Sequence, residues 1–326
     1  MNFKSCKPKN GHNTEFLGEH SHHFLEPFLP NGLLNTPSTK VSQWLKEEYP
    51  NTTRTSIVIA PQREGEICVQ SYNAVLTMAN CESDATIVLS NDDFFNIVKK
   101  RINPKVDIET VNEVIGLHLA QIFTPPINFQ ELISSSIPMP NLNILSLRAI
   151  PQISAKHLKF SNYTWPQLLK YLRQMMLTNC PIEEGMNWDI GLDSTLHAKS
   201  LSTKLFLRGT GAKSLETRTL ANQLFNDDRI SVDWLENGHY EVLSSEKSFC
   251  GRYPISAGLL SNSVLPLKTN GDGVLENIYD RAGALFTQGA FVHQYERYGV
   301  GSQEMLASFA RYKTILNSYR VVGEFF

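Results

Sequence analysis

The sequence has no long apolar run, no large excess of either charge and no repeated cysteine spacing. Its apolar segments are shorter than the roughly 20 residues that a membrane-spanning helix needs. The 30 basic and 32 acidic residues give a net charge of −2, which offers no electrostatic basis for binding nucleic acid or an anionic membrane. The five scattered cysteines fit neither a disulfide framework nor a zinc site. These features predict a cytoplasmic protein that binds neither membranes nor nucleic acid.

Residues 1–38 differ in composition from the rest of the chain. They contain Gly, Pro and Asn with little periodicity, and His20, His22 and His23 form a cluster. Such a cluster fits either a metal site or a polar leader. Because no carboxylate or cysteine stands at ligand spacing, we expect a disordered leader and no metal site.

From residue 39 onward, strand-like and helix-like patterns alternate, which predicts an α/β fold. The apolar spacing predicts strands at 55–60, 85–89, 142–150, 205–209 and around Leu260, and helices at 41–49, 72–78, 107–123, 165–177, 274–295 and 303–319. The polar residues 90–93 follow a buried strand. Open α/β sheets place their ligand-binding loops at that end of a strand.

A succession of collinear motifs resembles the tubulin superfamily. The first is Gly65-Glu66, then Val69-Gln70, Tyr72-Asn73 and Leu76, followed by a strand and Asn91-Asp92. The later segments 143–151, 163–175, 183–185 and 290–295 resemble the delta branch of the family in particular. The resemblance implies a tubulin/FtsZ-like fold. Its parts would be a partial Rossmann-like GTP-binding domain at 39–123, an intermediate mixed α/β domain at 124–264 and a C-terminal helical hairpin at 265–326.

The resemblance also implies a nucleotide site. Asn91 and Asn112 match the two asparagines that contact guanine, and an amide both donates and accepts, as guanine's mixed edge requires. Glu66 and Gln70 match the loop that holds the ribose, while Ile108 stands where an aromatic ring usually stacks on the base. The structural alternatives are an ordinary strand-end turn for Asn91 and an exposed helix position for Asn112.

Glu131 matches the acidic residue that, in the family, orients the attacking water on the nucleotide of the next subunit. The structural alternative is a first-turn glutamate that interacts favourably with the helix dipole. His293 also lies in a segment that matches the family closely. Its apolar neighbours lead us to expect a partly buried packing residue.

The family's phosphate-binding GGTGSG sequence, which opens a helix, does not occur in the 326 residues. The chain is expected to begin just past that loop, either as an incomplete sequence or as a form that has lost nucleotide binding. GTP with Mg²⁺, the cofactor that the resemblance implies, is therefore expected to bind weakly. Such a start would also leave the outer edge of strand 55–60 unpaired.

The resemblance implies a structural GTP-binding protein of centrioles and basal bodies, with other tubulins and microtubule or centriole proteins as partners. One alternative is a non-polymerising interaction module that binds tubulin partners. A further alternative is a free-standing GTPase of another α/β family.

Overall fold

A seven-stranded sheet runs through the part of the chain that the computed structural model describes, which is residues 23–25, 35–62, 68–124, 127–158, 160–193, 198–232, 239–248, 253–263 and 273–324. The strands are β1 (His23–Leu25), β2 (Arg54–Ala60), β3 (Ala85–Ser90), β4 (Ile144–Ile150), β5 (Ser200–Gly209), β6 (His239–Ser245) and β7 (Ile255–Ser263). Their order across the sheet is β1-β2-β3-β4-β7-β5-β6. All neighbouring strands are parallel except β7, which is antiparallel to both β4 and β5. The expected α/β class is confirmed.

Helices lie between the strands and close the chain. They are α1 (Asn35–Glu48), α2 (Gln70–Asn80), α3 (Asn91–Ile97), α4 (Ile108–Phe123), α5 (Phe129–Ser136), α6 (Ala155–Leu158), α7 (Trp165–Leu177), α8 (Leu215–Phe225), α9 (Val274–Thr287), α10 (Val292–Glu296) and α11 (Ser302–Glu324). A π-helical turn, Val98–Ile102, continues α3. Among the helices of the described ranges, none combines the length and the apolar character that crossing a membrane requires.

Strand alternation explains how helices cover both faces of the sheet. Successive side chains of a strand point to opposite faces, so Val58 and Ala60 pack with α2, α9 and α11. Ile57 and Ile87 pack on the other face with α3, α4 and α5. A third apolar cluster joins α7 and α8 to β5 and β7. With both faces covered, the strand ends remain the places where polar loops meet.

The pattern over 274–295 predicted a single helix, and this was wrong. Gly289 follows α9 with a φ of 65°, in the left-handed region. Its N–H donates to the Phe286 carbonyl, and the next N–H, of Ala290, donates to the Leu285 carbonyl. These two bonds form a Schellman motif, which ends α9 before α10 begins.

The expectation that His293 is a packing residue was also wrong. His293 is exposed on α10, and Tyr295 is the buried residue of that short helix. The Tyr295 hydroxyl donates to Asn73 Oδ1 on α2 at 2.5 Å. The contact between α10 and α2 therefore depends on Tyr295.

Two parts of segment 1–38 are described, β1 and the beginning of α1, and the other residues of that segment lie outside the described residues. β1 pairs in parallel with β2 along Arg54, Thr55 and Ser56. The outer edge of β2, which was expected to be open, is therefore paired at these three residues.

Candidate functional site

The carboxyl ends of β2 and β3 bring two predicted ligand residues to one edge of the sheet. Ala60 and Ser90, the last residues of these parallel strands, are register partners, so the segments that follow start side by side. Asn91 directly follows Ser90 and opens α3, and Gln70 opens α2. The Gln70 side chain donates to the Gln62 carbonyl at 2.6 Å, which ties the start of α2 to the segment that leaves β2.

Asn91 occupies the first turn of α3, where the sequence had predicted a loop. Ser90 caps this helix, because its hydroxyl accepts a hydrogen bond from the Asp93 N–H at 3.3 Å. Asn91 is partly exposed, and within the described residues its side chain makes no hydrogen bond. Its amide is therefore available to a ligand at the sheet edge.

Asn112 and Ile108 share one face of α4. They are four residues apart, which places them one above the other on a helix, and both are exposed. Asp107 caps the helix by accepting the Thr110 N–H at 2.7 Å, and hydrogen bonds from Thr110 lower the pKa of Asp107. The predicted base-contacting amide and the predicted stacking position thus lie on the same surface.

α3 and α4 pack together. The Phe94 ring meets the His118 ring edge-to-face, with centroids 4.9 Å apart. This contact holds the helix that begins with Asn91 against the helix that carries Asn112. Gln70 and Asn91 share the strand-end edge, and Asn112 lies on the neighbouring helix.

Glu131 lies elsewhere in the molecule. It is exposed in the first turn of α5, where its N–H donates to the capping Asn128 Oδ1 at 3.4 Å. α5 packs against β5, which β4 and β7 separate from β3. Glu131 is therefore remote from the edge that Asn91 and Gln70 share. Glu66 lies outside the described residues.

Two acidic residues also lie at the strand-end edge that carries Asn91. Asp92 and Asp93 lie in the first turn of α3, and both take part in further interactions. No group of three or more His, Cys, Asp or Glu that would hold a metal ion occurs among the described residues. The amides of Asn91 and Gln70 suit a base and a ribose, and Mg²⁺ in nucleotide sites is usually held by one or two carboxylates together with the phosphates.

Comparison with known proteins agrees with this fold. Residues 37–99 match the family model described as Tubulin/FtsZ family, GTPase domain. The tubulin delta chain of Canis lupus familiaris is 31% identical over an alignment of 308 residues, which covers 86% of this chain and 66% of that protein. The delta chain of Mus musculus is 31% identical over 312 residues, with 87% and 66% covered. A tubulin gamma chain of Saccharomyces cerevisiae is 34% identical over 113 residues, 31% of this chain and 24% of that protein.

The family-model match covers the part of the chain that carries two of the predicted ligand residues. The matched range 37–99 contains Gln70 and Asn91, and it runs from α1 to the π-helical turn after α3. The chain spans 66% of the length of the delta chains that it matches. On its sequence and on its α/β architecture, the chain belongs to the tubulin superfamily.

Proposed function

We propose that this chain is a delta-tubulin-like structural protein of the microtubule cytoskeleton, located at centrioles and basal bodies in the cytoplasm. Its partners are other tubulins and centriole proteins. The support is the similarity to tubulin delta chains over 86% of the chain. The ligand is a guanine nucleotide, since the family model that matches residues 37–99 is a GTPase domain.

The observation that carries the nucleotide proposal is the register of β2 and β3. Because these parallel strands end at paired residues, the segments that lead to Gln70 and Asn91 begin side by side. Asn91 and Asn112 address the base, each with an amide that both donates and accepts. Gln70, with Glu66, addresses the ribose.

The same edge predicts weak binding of GTP. Each polar contact to base or ribose contributes about 0.5–1.5 kcal/mol net, whereas association costs an estimated 4–15 kcal/mol of lost freedom. The family's phosphate-binding GGTGSG sequence does not occur in the 326 residues, so the triphosphate lacks that cradle. Most of the affinity of this chain for GTP therefore comes from the guanosine part.

Competition binding tests the nucleotide part of the proposal. A fluorescent guanosine analogue bound to the 326-residue chain is displaced by guanosine, GTP or adenosine. We expect guanosine and GTP to compete within about tenfold of each other, and adenosine to compete several-fold more weakly, since one or two hydrogen bonds differ. Equal competition by adenosine and guanosine contradicts a guanine-reading edge.

A separate experiment tests the structural role. The chain, tagged at one end and expressed in ciliated cells, should be enriched at centrioles and basal bodies and should co-purify with other tubulins. A uniform cytoplasmic distribution without tubulin partners contradicts this part. Co-purification with tubulins that does not depend on guanine nucleotide supports the alternative of an interaction module.

Glu131 is the proposed catalytic residue of an assembled form. It is exposed on α5 and lies away from the nucleotide edge of its own chain. A glutamate there would reach the nucleotide of a neighbouring subunit and orient the attacking water. The proposal assigns hydrolysis to contacts between subunits.

A further inference from the structure

A cleft of about 400 Å³ lies along α7, apart from the nucleotide edge. Its walls are α7, the segments before and after that helix, and the π-helical turn that continues α3. The turn contributes Arg101, at the end of α3 opposite to Asn91. Neither Asn91 nor Gln70 lines this space, which we call the α7 cleft.

Two aromatic rings form a corner of the α7 cleft. Tyr171 on α7 and Trp188 in the segment after it meet edge-to-face, with ring centroids 5.4 Å apart. Trp188 is 56% exposed, so much of its indole is open to solvent. The face of an indole attracts a cation, and a planar guanidinium can also stack on it. The corner therefore offers an exposed ring to a cationic group.

The segment that carries Trp188 is held in place by α7. The Gln174 side chain donates to the Asn187 carbonyl at 2.6 Å and to the Ile190 carbonyl at 2.9 Å, on either side of Trp188. Met186, two residues before Trp188, is buried. Because these contacts fix the segment before a ligand binds, less conformational freedom is lost on binding.

The charged residues of the α7 cleft leave an excess of negative charge. Arg101 lies 3.7 Å from the Glu183 carboxylate and 3.0 Å from that of Glu184. It is the only basic residue among the described residues that line the cleft. Burial and the neighbouring Glu183 raise the pKa of Tyr163 to about 12, so this phenol is neutral. Two carboxylates therefore share one cation.

The two carboxylates differ in what they can offer a ligand. Glu183 is buried, and its Oε2 accepts the Gln152 N–H at 2.8 Å. The side chain of Glu184 is 61% exposed, and its Oε2 accepts a hydrogen bond from Arg101. A carboxylate has about four acceptor positions on its two oxygens, so Glu184 can accept further hydrogen bonds from the solvent side.

We propose that the α7 cleft is a docking site for an arginine side chain of a partner protein. The guanidinium stacks on the Trp188 ring and donates to the Glu184 carboxylate, so the partner supplies the second cation of the cleft. A lysine ammonium suits the cleft less well, because it is more strongly hydrated and cannot stack on the ring. The proposal does not depend on nucleotide binding.

An arginine peptide and its neutral isostere test the site. The 326-residue chain is titrated with acetyl-Gly-Arg-Gly-amide and with the same peptide carrying citrulline in place of arginine, and NMR broadening of the peptide side-chain resonances measures binding. The arginine peptide should bind about fivefold more tightly, or better. The corresponding lysine peptide should bind more weakly than the arginine peptide. Equal affinity for arginine and citrulline, binding of neither, or lysine binding as tight as arginine overturns the proposal.

Two variants and a matched control assign the preference to the α7 cleft. Trp188→Leu removes the ring and Glu184→Gln removes the charge, and each should lower the preference for arginine over citrulline at least about twofold. Both side chains are exposed, so both variants should fold. In the control Trp44→Leu the preference should persist, because Trp44 is 54% exposed and meets Tyr49 edge-to-face but lies on α1, outside the cleft. A preference unchanged in either cleft variant, or lowered equally in the control, overturns the proposal.

Discussion

The hydroxyl of Tyr319 offers a direct measurement of how the last helix stabilises the sheet. Tyr319 is buried on α11, and its hydroxyl accepts a hydrogen bond from the Ile144 N–H at 2.8 Å. The Asn262 Oδ1, 3.2 Å away, is an acceptor for the proton of the hydroxyl itself. Burial raises the pKa of Tyr319, so the hydroxyl stays protonated at neutral pH. One side chain thus connects α11 to both β4 and β7.

Tyr319→Phe should destabilise the protein by about 1–3 kcal/mol. The ring remains and little apolar burial is lost, but the Ile144 N–H becomes a buried donor without a partner. Tyr312→Phe on the same helix is the control. The Tyr312 hydroxyl donates to the Leu275 carbonyl at 3.0 Å, in the first turn of α9, and that carbonyl can still accept the helical N–H of Tyr279. We expect about 0.5–1 kcal/mol for this control.

Urea unfolding followed by circular dichroism measures both losses. The two variants should unfold with the slope of the parent, since the surface exposed on unfolding does not change. Tyr319→Phe should have the lower midpoint. Equal midpoints, or a lower midpoint for Tyr312→Phe, would refute the reasoning that the orphaned Ile144 N–H sets the cost.

Three further predictions concern stability and hydrolysis. Burial lowers the pKa of His118 to about 4, against about 6.5 in the unfolded chain, so the stability that neutral His118 contributes is complete above pH 6.5 and falls by about 2 kcal/mol between pH 7 and 5. His118→Gln should remove this part of the pH dependence of stability. An equal change with pH in the free energy of unfolding of variant and parent, measured by urea titration at each pH, would contradict it. A Cβ at Gly209, where φ is 116°, would lie 2.0 Å from the Pro254 carbonyl oxygen, so Gly209→Ala should lower the melting temperature. Gly283→Ala, in open space on α9, should raise the melting temperature slightly. A similar melting temperature for both variants would show that the contact with Pro254 is relieved. In assemblies that hydrolyse GTP, Glu131→Gln should slow hydrolysis at least tenfold and leave nucleotide binding unchanged. The control Glu216→Gln, in the first turn of α8, should change neither. Equal hydrolysis rates in Glu131→Gln and the parent would show that Glu131 is not catalytic.

Strong local signals made several elements predictable. The helix at 165–177 has the bounds of α7 because Thr164 and Gln167 form a capping box and Pro166 stands in the first turn. The end of α9 was predictable in principle, since Gly289 is the residue that a helix C-terminus prefers. The broad apolar pattern over 274–295 hid that signal.

Other elements carry little signal of their own. α8 buries only Thr217, Ala221 and Phe225, and its first residue, Leu215, is 83% exposed, so tertiary packing decides its formation. From Tyr240 to Ser245, β6 has no fully buried residue, and the strand pairs at the edge of the sheet. Neither element was predicted from the sequence.

The nucleotide edge could be predicted in part from the sequence. Gln70 and Asn91 follow predicted strands, so their common edge follows from parallel pairing.

Guanosine affinity in three single variants tests whether Asn91 and Asn112 read the base. Asn91→Ala and Asn112→Ala each remove one base contact, and each should weaken guanosine binding about 2- to 10-fold and reduce the preference over adenosine. Asn141→Ala, at an exposed turn before β4, should bind guanosine like the parent. If Asn91→Ala and Asn112→Ala bind guanosine as tightly and as selectively as Asn141→Ala, these two amides do not read the base and the proposed site is wrong.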